Sequence, residues 1–140
     1  MKRLSIRTSG TEDAVDLTGR LQEEAVRSGV REGALLVHCP HTTAGVLINE
    51  GHDPDVIRDV RMVFGRLAPP DLPYRHGEGN SPAHLKSALA GCQVLVPIEE
   101  GRLVLGTWQR VLLMEWDGPR NREVWLTVLP GRAEADGATR

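Results

Sequence analysis

The segment Arg75-His76-Gly77-Glu78-Gly79-Asn80-Ser81-Pro82-Ala83-His84-Leu85-Lys86 gathers the densest polar chemistry of this chain. It holds two imidazoles, a carboxylate, an amide, a hydroxyl and an ammonium, with two glycines and a helix-start signal among them. Side chains of this kind cannot build a core, so they are expected to converge on something polar. With Ser81 as cap and Pro82 as the first helical residue, His84 falls at the third helical position, inside the positive field of the helix N-terminus. That field disfavours imidazolium and leaves the neutral ring that a metal ligand or a general base needs. The same helix start offers backbone N–H groups to a phosphate or sulfate, and Gly77 and Gly79 allow close approach. Lys86, Arg75 and Arg120 are the candidate cations. Glu78 opposes an anion unless a cation lies between them, and the spacing is not that of a Walker loop. The plain alternative for His84 is a capping-turn residue bonded to its own loop.

His41-Thr42-Thr43 follows Pro40 at the end of one predicted strand, and Asn49-Glu50 closes the next. Strand ends place side chains at a site without giving up a rigid element. Taken alone, His41 reads as a surface-turn histidine bonded to a threonine; beside the second histidine cluster it becomes a candidate ligand. His41, His76 and His84 are therefore expected to set their ring nitrogens around one point, with Glu50 within reach. Leu105 to Gln109 and Glu115 to Arg120 bracket a further strand. Trp108 and Trp116, eight residues apart, would share one face of it, leaving Gln109 and Glu115 on the other to line a pocket.

These residues need a frame. Residues 2–8 alternate as a half-buried strand. A helix runs from Thr18, its expected cap, to about Ser28, with Leu17, Leu21 and Ala25 as its apolar stripe and Gly29 at its end. Ala34 to Cys39 is a buried strand and Gly45 to Asn49 looks like its return partner. Asp53-Pro54 starts a helix to about Leu67, ended by the proline-rich segment 69–73. Ser81-Pro82 starts a short helix to about Ala90. After Gly91 the pattern is strand-like over Gln93–Ile98, Leu103–Leu105, Trp108–Trp116 and Glu123–Leu129, which implies a meander of hairpins. The order of elements predicts an α+β fold, a mostly antiparallel sheet system with two or three packed helices. Residues 1–130 form one domain, and 131–140 read as a frayed, disordered tail.

The chain has 140 residues and a net charge of −2. A near-neutral chain gives no electrostatic case for nucleic acid or an anionic membrane as partner. No apolar run approaches the roughly 20 residues of a membrane span, and no signal peptide is visible, so a cytoplasmic protein is expected. Cys39 and Cys92 both sit in apolar stretches and read as buried thiols of a reducing compartment.

His41-Thr42-Thr43-Ala44, Asn49-Glu50, the His76 to Lys86 loop, Gly101-Arg102-Leu103, Leu105-Gly106-Thr107-Trp108-Gln109 and Asp117-Gly118-Pro119-Arg120 occur in this order and at these separations. The ordered set closely resembles the YjbQ-type family, also called secondary thiamine-phosphate synthases, over residues 2 to about 130. The resemblance implies a compact α+β subunit of a homotrimer, a polar pocket near the subunit boundary, and a modest thiamine-phosphate synthase activity. Family histidine motifs map onto His41, His76 and His84, the acidic position onto Glu50, and Asn80, Ser81 and Lys86 match as well. The resulting expectation is a pocket for a small phosphorylated metabolite. Glu50 and Lys86 are its catalytic residues, Asn80, Ser81 and Arg120 hold the ligand, and the three histidines bind a divalent metal. Three imidazoles suit zinc better than magnesium. The rival expectation is a non-catalytic metabolite-binding or scaffolding homotrimer.

Overall fold

A computed structural model describes residues 1–132 of the chain. In order, the elements are β1 (Lys2–Arg7), β2 (Asp13–Asp16), α1 (Thr18–Ser28), β3 (Gly33–His38), β4 (Ala44–Glu50), α2 (Pro54–Leu67), α3 (Ser81–Ala90), β5 (Gln93–Glu99), β6 (Arg102–Leu103), β7 (Gln109–Glu115) and β8 (Asn121–Pro130). The fold is α+β as expected, with three helices on antiparallel sheets. None of the helices among the described residues is long and apolar enough to cross a membrane.

Two sheets form, one of five strands in the order β1-β8-β3-β5-β6 and one of three in the order β2-β7-β4. The expected meander is therefore corrected. Of the strands after Gly91, only β5 and β6 pair as neighbours in sequence, while β7 joins β2 and β4 and β8 inserts between β1 and β3. Likewise β4 is not the return partner of β3; it pairs with β7. Side-chain burial explains this exchange. Val46, Val111 and Leu113 point into a core shared with Leu35, Val37, Val96, Val124 and the α1 stripe Leu17, Leu21 and Ala25. Their strand neighbours Leu112, Met114 and Trp116 point the other way, into a second cluster with Ala83 of α3 and Ile57 and Phe64 of α2. The small sheet is thus covered on both faces, which is why β7 reads as a continuous apolar run rather than an alternating one.

Helix α3 lies directly on β4. Ser87 Oγ donates to the Ala44 carbonyl at 2.7 Å. A Cβ at Gly45 would stand 2.6 Å from the Gly91 oxygen and 2.9 Å from the Ala90 Cβ, so this contact requires glycine. Asp53 caps α2 as predicted, accepting from the Asp55 N–H at 2.9 Å. At α1 the cap position falls on Leu17 instead of Thr18. Asp16 accepts the Thr18 N–H, and the Thr18 hydroxyl accepts the Val111 N–H at 2.9 Å. Strand β2 was not foreseen, since Asp13-Ala14-Val15-Asp16 is too short for a periodic signal. Gly131, expected to fray, donates to the Glu32 carbonyl at 2.7 Å, and the tail residues 133–140 lie outside the described residues. Cys39 is buried as expected, whereas Cys92 is exposed.

One ion pair ties the sheets together. Arg122, on β8 of the large sheet, donates from Nε to Glu115 Oε2 at 2.6 Å and from Nη2 to Oε1; Glu115 ends β7 of the small sheet. Glu115 is fully buried and Arg122 nearly so. Thr8 Oγ1 and the Asp117 N–H also donate to the carboxylate, and Arg122 Nη2 reaches Thr43 Oγ1 at 2.8 Å. Burial alone would push the Glu115 carboxyl up; the Arg122 guanidinium, the Asp117 N–H and the Thr8 hydroxyl outweigh it, and its pKa lies below the ordinary value of 4.5. A carboxyl depressed on folding contributes stability above its unfolded pKa and loses it as pH falls through the folded one. Arg122→Met, which strands the carboxylate, is expected to cost about 3–5 kcal/mol in urea unfolding at pH 7. The wild type should lose stability as pH drops below about 4.5. An Arg122→Met midpoint equal to wild type would show that the pair does not hold the sheets.

Candidate functional site

Leu67 ends α2, and the chain crosses through Pro73-Tyr74-Arg75 to α3, carrying His76 and Gly79 (φ 75°) over the helix start. The His76 and His84 rings meet edge to face with centroids 5.3 Å apart. Together with Tyr74, Ser81 and Leu85 they line a cavity of about 270 Å³. The Tyr74 hydroxyl donates to the Pro69 carbonyl and so fixes one wall. Glu78 stays 3.8 Å from His76 Nε2, too far for a hydrogen bond.

The start of α3 differs from the expectation by one residue. Asn80, not Ser81, occupies the cap position, and its side chain makes no capping bond. The Asn80 carbonyl accepts the N–H groups of Ala83 (3.0 Å) and His84 (3.3 Å). Pro82 has no N–H to offer. Ser81 is therefore the first-turn residue whose backbone N–H remains for a ligand, a much thinner anion site than a full set of helix-end donors. Asn80 Nδ2 donates instead to Asp117 Oδ2 at 3.0 Å, while its Oδ1 is buried without a partner. Arg120 also turns to Asp117, from Nη2 to the carboxylate at 3.1 Å and from Nε to the carbonyl at 2.7 Å. Burial would raise the Asp117 carboxyl, but Asn80 and Arg120 hold it below the ordinary range.

Lys86 lies on the buried face of α3 with Ala83 and Ser87. Its ammonium donates to Glu12 Oε1 at 2.9 Å and stands 5.6 Å from the Trp116 ring centroid; Arg61 holds the other Glu12 oxygen at 3.1 Å. Lys86 is thus engaged in an ion pair between α3 and the β1–β2 loop, and it does not line the histidine cavity.

His41 is placed elsewhere. Its Nε2 accepts the Glu123 N–H at 2.9 Å, and it lines a separate cavity of about 630 Å³ with Arg7, Asn121 and Arg122. Glu50 sits at the far end of β4, opposite Gln109, whereas Ala44 at the near end lies opposite Glu115. Six residues of strand put about 20 Å between those ends. One chain therefore joins His76 to His84 and brings neither His41 nor Glu50 to them. Among the described residues no group of three or more His, Cys, Asp or Glu is arranged to hold a metal.

The tryptophan expectation is corrected as well. Strand β7 begins at Gln109, so Trp108 falls in the preceding turn and is exposed, whereas Trp116 is buried and stacks on Phe64 at 5.4 Å. Glu115 lines no pocket because Arg122 takes it; Gln109 does line one, with Gln22, His52 and Arg110. Those last three were missed by the sequence reading. They come from separate elements, and no spacing along the chain connects them.

Burial first, and then the Arg122 charge, lower the pKa of His41 below its ordinary 6.5. With Nε2 accepting a backbone N–H, the neutral ring carries its proton on Nδ1. The stability linked to this ring is present above the unfolded pKa and is lost as pH falls through the folded one. Long-range ¹⁵N–¹H spectra are expected to show His41 as the Nδ1–H tautomer, titrating below 6.5. An Nε2–H ring, or titration at or above that value, would refute this assignment.

Comparison with known proteins fits the geometry. The family model described as UPF0047 protein YjbQ-like matches residues 2–131. The UPF0047 protein YugU of Bacillus subtilis is 41% identical over 130 residues, spanning 92% of this chain and 98% of its own length. A UPF0047 protein of Methanocaldococcus jannaschii is 39% identical, over 91% of this chain and 92% of its own. Among solved structures, an uncharacterized conserved protein of the YjbQ/UPF0047 family from Clostridium acetobutylicum superposes with a TM-score of 0.90 at 42% identity, covering 92% of this chain and all of that one. A conserved hypothetical protein from Thermus thermophilus gives 0.85 at 43% identity, with the same coverage. The chain belongs to the YjbQ-like UPF0047 family.

Proposed function

We propose that the cavity between the 68–80 segment and α3 binds a small phosphorylated metabolite. In this reading it supports a weak thiamine-phosphate synthase reaction in a cytoplasmic homotrimer. The observation that carries the proposal is the edge-to-face pair His76 and His84 at 5.3 Å, lining one cavity with Ser81. Two imidazoles and a hydroxyl offer directional donors to phosphate oxygens, and Tyr74 and Leu85 supply an apolar wall for a ring. In the reaction the thiazole-phosphate nitrogen forms a C–N bond to the methylene of hydroxymethylpyrimidine pyrophosphate as the C–O bond to pyrophosphate breaks. An imidazole N–H and the Ser81 hydroxyl are suited to donate to the departing oxygens.

A divalent metal, zinc ahead of magnesium, is the proposed ion at this imidazole pair. One chain supplies two imidazoles here, short of the three protein ligands of a catalytic zinc site. The set is incomplete within a single chain, and no step is assigned to the ion.

A specific observation favours the binding-only alternative. Lys86 and Arg120, the cations expected to meet the leaving group, are paired with Glu12 and Asp117. Phosphate-ester binding and turnover are therefore separate questions. Thiazole phosphate is expected to raise the melting temperature of the wild type, and His84→Ala to weaken that binding about tenfold, the loss of one charge-assisted hydrogen bond. Binding undiminished in both His84→Ala and His76→Ala would place the ligand elsewhere. Binding without formation of thiamine phosphate from both substrates would leave the non-catalytic reading.

The homotrimer draws support from the outer helices. Helix α2 buries no residue, and Val63 and Leu67 on α2 and Leu85 and Leu89 on α3 are exposed. Exposed apolar side chains on two neighbouring helices are the kind of surface that association would cover. Sedimentation should give three times the 15.4 kDa chain mass. A monomer at micromolar concentration would refute the trimer.

A further inference from the structure

At the end of the molecule opposite the histidine pair, α1, the Gly51–His52 turn and the segment joining β6 to β7 enclose a cavity of about 440 Å³. Its polar side chains include several donors. Gln22 Oε1 accepts the Leu103 N–H at 3.1 Å, which fixes the orientation of its amide and leaves the Nε2 group buried without an acceptor. Gln109, which is exposed, also has its Oε1 occupied, accepting the Gly106 N–H at 2.8 Å, and its amino group is open to solvent at the cavity mouth. Arg110 Nη2 stands 3.1 Å from His52 Nε2, so the neutral His52 ring keeps its proton on Nδ1 as a further donor. The Thr18 hydroxyl oxygen accepts the Val111 N–H, and its own hydrogen is free to donate. Among the described residues no carboxylate lines the cavity. Two carboxylates border it: Asp16, 3.9 Å from Arg110 Nε, and Glu50, across the strand pair from Gln109.

A buried amide hydrogen without an acceptor is costly, and Gln22 lines a cavity that also holds a guanidinium. With both glutamine carbonyls occupied by the backbone, the amino group is the part of each amide that remains to donate, buried and unpartnered at Gln22 and open to solvent at Gln109. We propose that this cavity is a second ligand site, distinct from the histidine pocket, which takes a small molecule through an oxyanion group, phosphate or carboxylate. Arg110 supplies the charge, and the amides of Gln22 and Gln109 orient the oxygens.

Inorganic phosphate and succinate, titrated separately into the ¹⁵N-labelled full-length protein, distinguish the two oxyanions. The side-chain NH₂ resonances of Gln22 and Gln109 are expected to shift with at least one probe. Gln22→Glu keeps an oxygen for the Leu103 N–H and replaces the donor by a repelling carboxylate, so binding should disappear. Arg110→Gln should weaken it about tenfold. His84→Ala, which disables the other pocket, should leave these shifts intact; loss of the response there, with retention in Gln22→Glu, would assign the anion to the histidine pocket and overturn this site. Resonances unmoved by both probes, or binding undiminished in both cavity variants, would overturn it too. Neither result depends on whether thiazole phosphate binds at His84.

Discussion

Glu115 and Arg122 form a buried ion pair between the two sheets, and the segments around it are organised to keep both groups satisfied. Taking a carboxylate and a guanidinium out of water is expensive, and the mutual attraction repays it only when the remaining donors and acceptors are filled. Here they are filled from four directions: Thr8 after β1, Thr43 before β4, Asp117 after β7, and the guanidinium itself on β8. The same hydroxyl of Thr8 also takes the Arg120 N–H. The pair therefore fixes the Asp117–Arg120 turn, and through Asp117 it fixes Asn80 at the start of α3. A core of aliphatic residues alone would hold the sheets together; this network sets where the ends of β7 and β8 lie relative to α3.

That arrangement also decides which polar groups are available for chemistry. Lys86, Arg120 and Asn80 each found a partner within the fold, in Glu12, Asp117 and again Asp117. The polar groups of the two proposed sites are of a different kind: two imidazoles and a hydroxyl in one, carboxamides, an imidazole and a guanidinium in the other. The strand length of β4 keeps the two ends apart within a chain.

Much of the frame was readable from residue patterns, and its failures have physical causes. Asp53-Pro54 and the Leu17, Leu21, Ala25 stripe were correctly placed because capping and helical periodicity are local. The pairing of β4, β7 and β8 was misread because hairpin logic assumes that neighbours in sequence pair, whereas double-sided burial of β7 sent it to the other sheet. Ser81 was read as the cap from its Ser-Pro start signal; the cap position falls one residue earlier, on Asn80, whose amide goes to Asp117, thirty-seven residues away in sequence, instead of capping. His76 and His84 were brought together by a glycine loop that the sequence displays openly. Gln22 and His52 carried no such mark, since only the tertiary fold makes them neighbours of Gln109.

The absence of any side chain at Gly45 has a dynamic consequence. Helix α3 rests on β4 backbone to backbone, with Gly91 and Ala90 filling the space a Cβ would need and Ser87 bonded to Ala44. A contact of that kind has no rotamers to rearrange, so α3 cannot roll or slide without breaking it. His84 is carried on this closely seated helix, while His76 lies on an exposed loop just before Gly77 and Gly79. In the proposed binding role the two imidazoles act as an asymmetric vise with one fixed jaw and one travelling jaw, and adjustment to the size of a guest falls to the loop.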